Sequence, residues 1–326
     1  MTKNIIITGG AGYVGSMLVP FLLEKNYNVT VLDLFIYGQT IQDHPNLKLV
    51  KGDIRDGELL KKVIPGHDVV IHLACISNDP SFELNPGLGK SINLSSFTPL
   101  VKISRDSKIK HFIYASSSSV YGIKSEKNVT EDLSLEPLTD YSLFKAKCEE
   151  ILNTFATDDF IVTTLRPATV CGYSTRQRLD VVVNILTNQA YHNGEINVLG
   201  GKQLRPNIHI LDMINAYYVV LNSDYNKINK EIFNVGTENI SVEDIAYLVN
   251  EVMGGKVKIN FKDSNDNRSY HVSSDKIKKN LGFEFKFSIK DAIYDLKNAF
   301  DKKILVNTFQ NSNYFNIKKM QEINLV

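Results

Sequence analysis

A doubly wound parallel α/β sheet with a smaller C-terminal α/β unit is the fold class that this sequence predicts, on three observations. Short β-branched runs alternate with stretches of helical period through the first half, the pattern of βαβ units whose strands are buried on both faces. A glycine triplet sits at the junction of the first strand and the first helix, where open α/β sheets collect ligands. After about Pro167 the alternation loosens into loops, helices and short strands, as a second unit of different construction requires.

In chain order, strands are expected at Asn4–Thr8, Asn28–Asp33, Leu47–Lys51, Val69–Leu73, His111–Ala115 and Ile161–Leu165. The gaps between them are long enough for crossover helices, expected at Val14–Lys25, Gly57–Val63, Ser95–Ser104, Tyr141–Phe155 and Asp180–His192. Beyond Pro167 a strand is expected at Lys230–Val235, and Ser241-Val-Glu-Asp244 reads as a capping box that opens a helix. The polar, Asn-rich stretch from about Lys302 has weak amphipathicity and reads as a peripheral extension. The expected units are therefore residues 1–168, with some later segments returning to that unit, residues 169–302, and an extension over 303–326.

Composition narrows the function classes. At 326 residues the chain can bury a large core. Lys+Arg at 37 against Asp+Glu at 36 leaves a formal charge of +1, so no global field gathers nucleic acid or an anionic membrane, and any basic site is local. Cys75, Cys148 and Cys171 form no C-x-x-C pair and no metal-like spacing, and an odd number cannot pair fully within the chain. A reducing compartment and no metal are expected. The N-terminus runs into Ile5-Ile6-Ile7 without a basic region, a long apolar run or a cleavage site. No segment approaches the roughly 18 apolar residues of a membrane span. A cytoplasmic protein without nucleic-acid or membrane partners is expected.

Gly9-Gly-Ala-Gly12-Tyr13-Val14-Gly15 follows an apolar strand and opens a helical pattern, the context in which G-x-x-G-x-x-G binds a dinucleotide. Gly9 permits the tight turn, Gly12 lets backbone approach a pyrophosphate, and Gly15 allows close helix–strand packing. The helix N-terminus adds free N–H groups and positive dipole. Asp33 ends the second strand, where a carboxylate accepts from a ribose diol and repels a 2′-phosphate; no Arg or Lys follows closely. The expected cofactor is NAD. Asp53, with Ile54 beside it, stands after the third strand, where it can receive an adenine amino group or cap a turn.

Tyr141 and Lys145 are four residues apart, which on a helix puts phenol and ammonium on one face. A nearby cation stabilises phenolate over phenol, so tyrosine can act as a base near neutrality. The pair gains weight from the strand His111–Ala115, which runs into Ser116-Ser117-Ser118-Ser119 and then Val120-Tyr121-Gly122. Hydroxyls at that strand end can hold a substrate hydroxyl while the tyrosine deprotonates it.

With these residues in view, the chain resembles the extended short-chain dehydrogenase/reductases, in their nucleotide-sugar epimerase and dehydratase branch. The likeness covers roughly residues 3 to 300. It rests on the glycine motif, Gly52-Asp53-Ile54, His72-Leu73-Ala74, Asn93, the serine-rich strand end, Tyr141 with Lys145, Arg166-Pro167, and Arg205-Pro-Asn-Ile-His209-Ile-Leu-Asp212. It implies a Rossmann dinucleotide domain, NAD, and Ser117, Tyr141 and Lys145 as catalytic residues, with Lys145 also on the nicotinamide ribose. It also implies Leu73, Ala74 and Cys75 lining the dinucleotide, Asn93 as a support, and Ser116 and Pro167 beside the cofactor. The family's 4,6-dehydratases carry an Asp-Glu pair where this chain has Ser118 and Ser119, so elimination of water lacks its proton shuttles.

Arg forks bind phosphate bidentately. Arg205 and Arg268 match positions that contact the substrate diphosphate in the family; Arg176 and Arg178 are further candidates. The segment Cys171–Asn184 is similar to one in bacterial surface-sugar enzymes, including heptose dehydrogenases acting on GDP-linked heptose, and implies that Asn184 faces the sugar nucleotide. His209 and Asp212 are expected to shape the loop carrying Arg205. The expected reaction is reversible oxidation at the sugar C4, ending in 4-epimerisation or in release of the keto sugar. A carbonyl reductase on a non-nucleotide substrate, which needs neither Arg205 nor Arg268, is a competing class, and a non-catalytic scaffold is another. Family analogy implies a homodimer through the helix of Tyr141 and the helix after Asn93, with Leu94, Phe97, Leu100 and Val101 as contact candidates that core packing also explains.

Overall fold

The computed structural model describes residues 3–263 and 271–325. In chain order the first half runs β1 (Asn4–Thr8), α1 (Gly15–Glu24), β2 (Asn28–Asp33), β3 (Leu47–Lys51), α2 (Gly57–Val63), β4 (Val69–His72), α3 (Asp79–Leu84), α4 (Pro86–Lys90), α5 (Phe97–Asp106), β5 (His111–Ala115), α6 (Asp140–Phe155) and β6 (Ile161–Pro167). The second half runs β7 (Thr169–Cys171), α7 (Val182–Asn193), β8 (Glu195–Leu199), β9 (Leu204–His209), α8 (Ile210–Asn222), β10 (Glu231–Val235), β11 (Glu238–Ser241), α9 (Val242–Val252), β12 (Lys258–Lys262), α10 (Asp275–Leu281), α11 (Ile289–Asp301) and α12 (Asn316–Glu322).

Seven strands form one parallel sheet in the order β10-β6-β5-β4-β1-β2-β3. The alternation of strand side chains explains why these runs are apolar throughout. Ile5, Ile7, Val29, Val31, Val69 and Ile71 face one core layer, and Ile6, Leu32 and Val70 face the other. The strand order reverses between β1 and β4, which opens a crevice at their carboxyl ends. The second unit pairs β7 with β9 in parallel, β9 with β11 antiparallel, and β8 with β12 in parallel. Its own core includes Val183, Ile196, Val198, Ile245, Val249 and Ile293. From within this half β10 returns to the large sheet, against β6.

Several element bounds differ from the sequence expectation for local reasons. The helix expected from Ser95 is preceded by a π-helical turn at Ser91–Ser95, and α5 then begins at Phe97 with Pro99 in its first turn, where a missing N–H costs nothing. The helix expected from Asp180 begins at Val182, because the Asp180 carboxylate is bound to Arg178 and to the Asn316 N–H. Phe97, Leu100 and Val101 are fully buried in the chain's own core, so packing accounts for them and they offer no dimer face. The segment after Lys302 is not peripheral either: α12 packs on α3, and Met320 is buried in the core layer that holds Ile54, Phe82 and Ile92. No helix among the described residues is long and apolar enough to cross a membrane.

Candidate active site

The crevice is a cavity of about 520 Å³ at the carboxyl ends of β1, β2, β4 and β5. Its floor is the glycine turn. Gly9 has φ +73°, and a Cβ there would lie 2.5 Å from the Ala74 backbone nitrogen. A Cβ on Gly15 would lie 2.4 Å from the Gly10 carbonyl, so the sequence folds here only with glycine. Gly12, Tyr13 and Val14 line the cavity with them, as do Asp53, Ile54, Leu73, Ala74, Cys75 and Pro167.

The Asp33 carboxylate accepts from Ala11 N–H at 3.0 Å and Phe35 N–H at 2.8 Å, one bond per oxygen, which leaves lone pairs free toward the cavity. Burial raises its pKa above the ordinary carboxylate value, against those bonds and the Arg176 charge. Asp53 is half-buried and ion-paired to Arg55 at 2.6 Å. Burial works against its ionisation, but the bonds from the Arg55 side chain and backbone outweigh it and hold the carboxyl low. Asn93 does not reach the cavity. Its amide bonds both the N–H and the carbonyl of Ile76, at 2.9 Å each, and so fixes the backbone just past Cys75.

The Thr139 hydroxyl caps α6 by accepting from the Ser142 N–H, which sets the helix that carries Tyr141 and Lys145. Both side chains are buried, with the Lys145 ammonium 5.9 Å from the Tyr141 ring centre. Lys145 Nζ donates to the Ala115 carbonyl at 2.6 Å, tying α6 to the end of β5. Ser117, two residues beyond that carbonyl, lines the same cavity close enough to the Tyr141 phenol to act on its ionisation. The three expected catalytic groups are therefore together in one cavity. Burial raises the phenol pKa here; Cys75 and Asp79 add to that, while the Arg178 charge and the nearby Ser117 hydroxyl oppose it.

Some expected contacts are used for other purposes. The Ser116 hydroxyl donates to Glu149, which is ion-paired at 2.6 Å with Arg166 in a buried network that also includes the Tyr121 phenol. Its N–H donates to Leu165, so only its carbonyl is left for a ligand. Asn184 is fully buried: its oxygen accepts from Gly172 N–H, and its nitrogen donates to the Tyr13 hydroxyl and the Arg178 carbonyl. It shapes the loop after β7 and does not face the cavity. That loop is also latched to α1, through Ser174 Oγ to Ser16 Oγ at 2.8 Å and Arg176 N–H to Ser16 Oγ at 3.2 Å.

The latch determines where the arginines go. Arg176 lies on the Asp33 side of the cavity, its guanidinium carbon 3.5 Å from the centre of the Tyr37 ring. The expectation placed it on the substrate diphosphate. Arg178 is bound to Asp180 at 2.6 Å and to Ser77 at 3.2 Å, close enough to Tyr141 to act on its charge. Arg205 lines the cavity from β9, whose end is held by His209 and Asp212: His209 contacts Asp295 at 3.2 Å and Asp212 accepts from the Lys286 and Phe287 N–H groups. Arg268 lies outside the described residues.

Sequence reading missed a further layer of the cavity. Tyr37, Ser77, Asn78, Asp79, Ser119, Thr139, Ser142, Asn316, Met320 and Leu325 also line it. Asn316 accepts from Arg176 at 2.7 Å and Tyr37 at 3.0 Å and donates to Ser77 at 3.0 Å. Thr139 before an apolar helix carried a local signal as a cap; Asn316 carried none.

These residues fit a dinucleotide. Arg176 Nε and Arg178 Nη2 are buried N–H donors without a hydrogen-bond partner, in the wall of a cavity floored by a glycine turn and a helix N-terminus. Such donors are costly unless an anion takes them up.

Residues 5–236 match the profile of a family described as the NAD dependent epimerase/dehydratase family. A putative UDP-glucose 4-epimerase of Methanocaldococcus jannaschii is 28% identical over 319 residues, 95% of this chain and 99% of that protein. Among solved structures, the UDP-glucose 4-epimerase of Thermotoga maritima with UDP-glucose superposes with a TM-score of 0.84 at 26% identity, covering 93% of this chain and 100% of that one. The UDP-glucuronic acid 4-epimerase of Bacillus cereus, in complex with UDP-glucuronic acid and NAD, gives 0.83 at 26%, covering 92% and 99%. With a match that spans more than half its length and a cavity built for a dinucleotide, this chain is an NAD-using enzyme and belongs to the NAD dependent epimerase/dehydratase family.

Proposed function

We propose that the enzyme oxidises a nucleotide-diphosphate sugar reversibly at C4, with Tyr141 as the base. The observation that carries this reading is the meeting of Ser117, Tyr141 and Lys145 at the end of β5, in the same cavity as the glycine turn and Asp33. NAD supplies the hydride acceptor and, when oxidised, a positive charge that favours phenolate. Gly9, Gly12, Gly15 and Asp33 would hold it, with Arg176 and Arg178 offering donors to its pyrophosphate. Tyr141 removes the O4 proton, Ser117 bridges the same oxygen, and the ammonium of Lys145 supports the phenolate. Arg205 faces the substrate diphosphate in this reading. The named relatives act on UDP-sugars, which supports a nucleotide-sugar substrate. A place in bacterial surface-polysaccharide synthesis and a homodimeric state belong to the proposal through family resemblance alone.

A panel of UDP-, dTDP-, GDP- and CDP-sugars tests it, reading NADH absorbance and product stereochemistry together. An inverted sugar without net NADH is expected of an epimerase, and a ketone with NADH of a dehydrogenase. Conversion of none of them overturns the reading.

A further inference from the structure

We propose that the hydroxyls of Ser117, Ser119, Ser142 and Thr139 form a proton path from Tyr141 to the carboxylate of Asp79 at the cavity rim. The proposal rests on the reading of Tyr141 as the base and extends it to the fate of the proton.

The path is a row of four contacts. Ser117 Oγ lies 2.9 Å from Ser119 Oγ, Ser119 Oγ 2.9 Å from Ser142 Oγ, Ser142 Oγ 3.0 Å from Thr139 Oγ1, and Thr139 Oγ1 2.6 Å from Asp79 Oδ1. At its inner end Ser117 lines the cavity with Tyr141, close enough to the phenol to act on its ionisation. These residues come from three places in the chain: the turn after β5, the first turn of α6 and the start of α3. Two of the hydroxyls also cap backbone, Ser117 for the Ser119 N–H and Thr139 for the Ser142 N–H. Capping uses an acceptor lone pair and leaves the hydroxyl proton free. In the structure Ser142 donates to Ser119 and Thr139 to Asp79; a hydroxyl has one donor and two acceptor sites and its proton rotates, so the whole row can also donate in one direction, toward Asp79. Asp79 is half-buried, lines the cavity and precedes the exposed Pro80, where water can take a proton from it.

The balance is as follows. On oxidation the O4–H and C4–H bonds break, the C4–O4 double bond forms, a hydride with its electron pair goes to NAD⁺, and the O4 proton bonds to the Tyr141 phenolate. The phenol then donates to Ser117 as Ser117 donates to Ser119, and so on through Ser142 and Thr139, until Asp79 is protonated and Tyr141 is phenolate again. Asp79 passes that proton to water. An epimerase returns the proton to O4 and needs no exit; an enzyme that releases the ketone must export one proton per turnover. The path thus equips this chain for the dehydrogenase outcome.

Ser119→Ala and Ser142→Ala each break the row, while Ser119→Thr keeps it. With a nucleotide sugar that the wild type converts, both alanine variants are expected to slow turnover by about a hundredfold, the low end of what a positioned proton acceptor contributes. Added imidazole is expected to restore them, since a diffusible base replaces a lost path but does not repair a misplaced side chain. An indicator dye should show proton release lagging behind NADH in the alanine variants and together with it in the wild type and Ser119→Thr. Wild-type rates in both alanine variants, or losses that imidazole leaves untouched, overturn the path and leave Tyr141 as base standing. A wild type inert toward every nucleotide sugar overturns the reading beneath it as well.

Discussion

Tyr141 lies between a sequence neighbour and an environment that act in opposite directions. The four-residue spacing to Lys145 was legible and promised a lowered phenol pKa, yet the ammonium is bound to the Ala115 carbonyl, and burial raises the phenol. The opposing charge comes from Arg178, 37 positions away, which spacing could not reveal. The same limit explains Asn184 and Ser116, whose polar groups are used by backbone and by Glu149. Gly9, Gly15 and Asp33 were legible because each acts through its own backbone or strand end. Two buried histidines carry a prediction. His72 bonds Thr8 at 2.6 Å and His111 bonds Thr163 at 2.9 Å, and burial pushes both down to about 3. An unfolded histidine titrates near about 6.5. The folded values are depressed, so their contribution is fully present above about 6.5 and is lost as pH falls toward 3. The thermal midpoint should therefore fall from about pH 7 to about pH 5, more shallowly in His111→Gln. Equal slopes in the two proteins would count against this.

At the scale of elements, the strands of the large sheet were the most legible part, because burial on both faces leaves a run such as Ile5-Ile6-Ile7 little else to form. The C-terminal segment was the least legible. Its seven-residue helix has a weak pattern of its own and is placed by long-range contacts: Met320 in the sheet's outer core layer, and Asn316 bridging Tyr37, Arg176 and Ser77. Deleting residues 312–326 should expose the surface that Met320 covers, at a cost of about 1.5–3 kcal/mol. It should also free Arg176 from Asn316 beside Asp33. Thermal denaturation with and without NAD checks both effects: the midpoint should drop, and the stabilisation by NAD should shrink. A truncated protein with the same midpoint and the same response to NAD would show that the segment does not support the site.

Across the whole molecule, the reversal of strand order at β1 and β4 makes the crevice, and the second unit closes over it through Arg178 and Arg205 and the latch between Ser174 and Ser16. The class of this architecture could be read from the alternation of strands and helices. Its closure could not, since it depends on contacts such as Arg176 N–H to Ser16, 160 positions apart in the chain. In the proposed reaction these parts serve proton removal by one phenol. A single-turnover experiment tests that directly: wild type and Tyr141→Phe, each loaded with NAD and mixed with a convertible nucleotide sugar, followed by NADH absorbance. The rate should fall by at least about 10²-fold in the variant, with NAD binding and thermal stability retained. Equal rates in the two proteins would contradict the assignment of Tyr141 as the base.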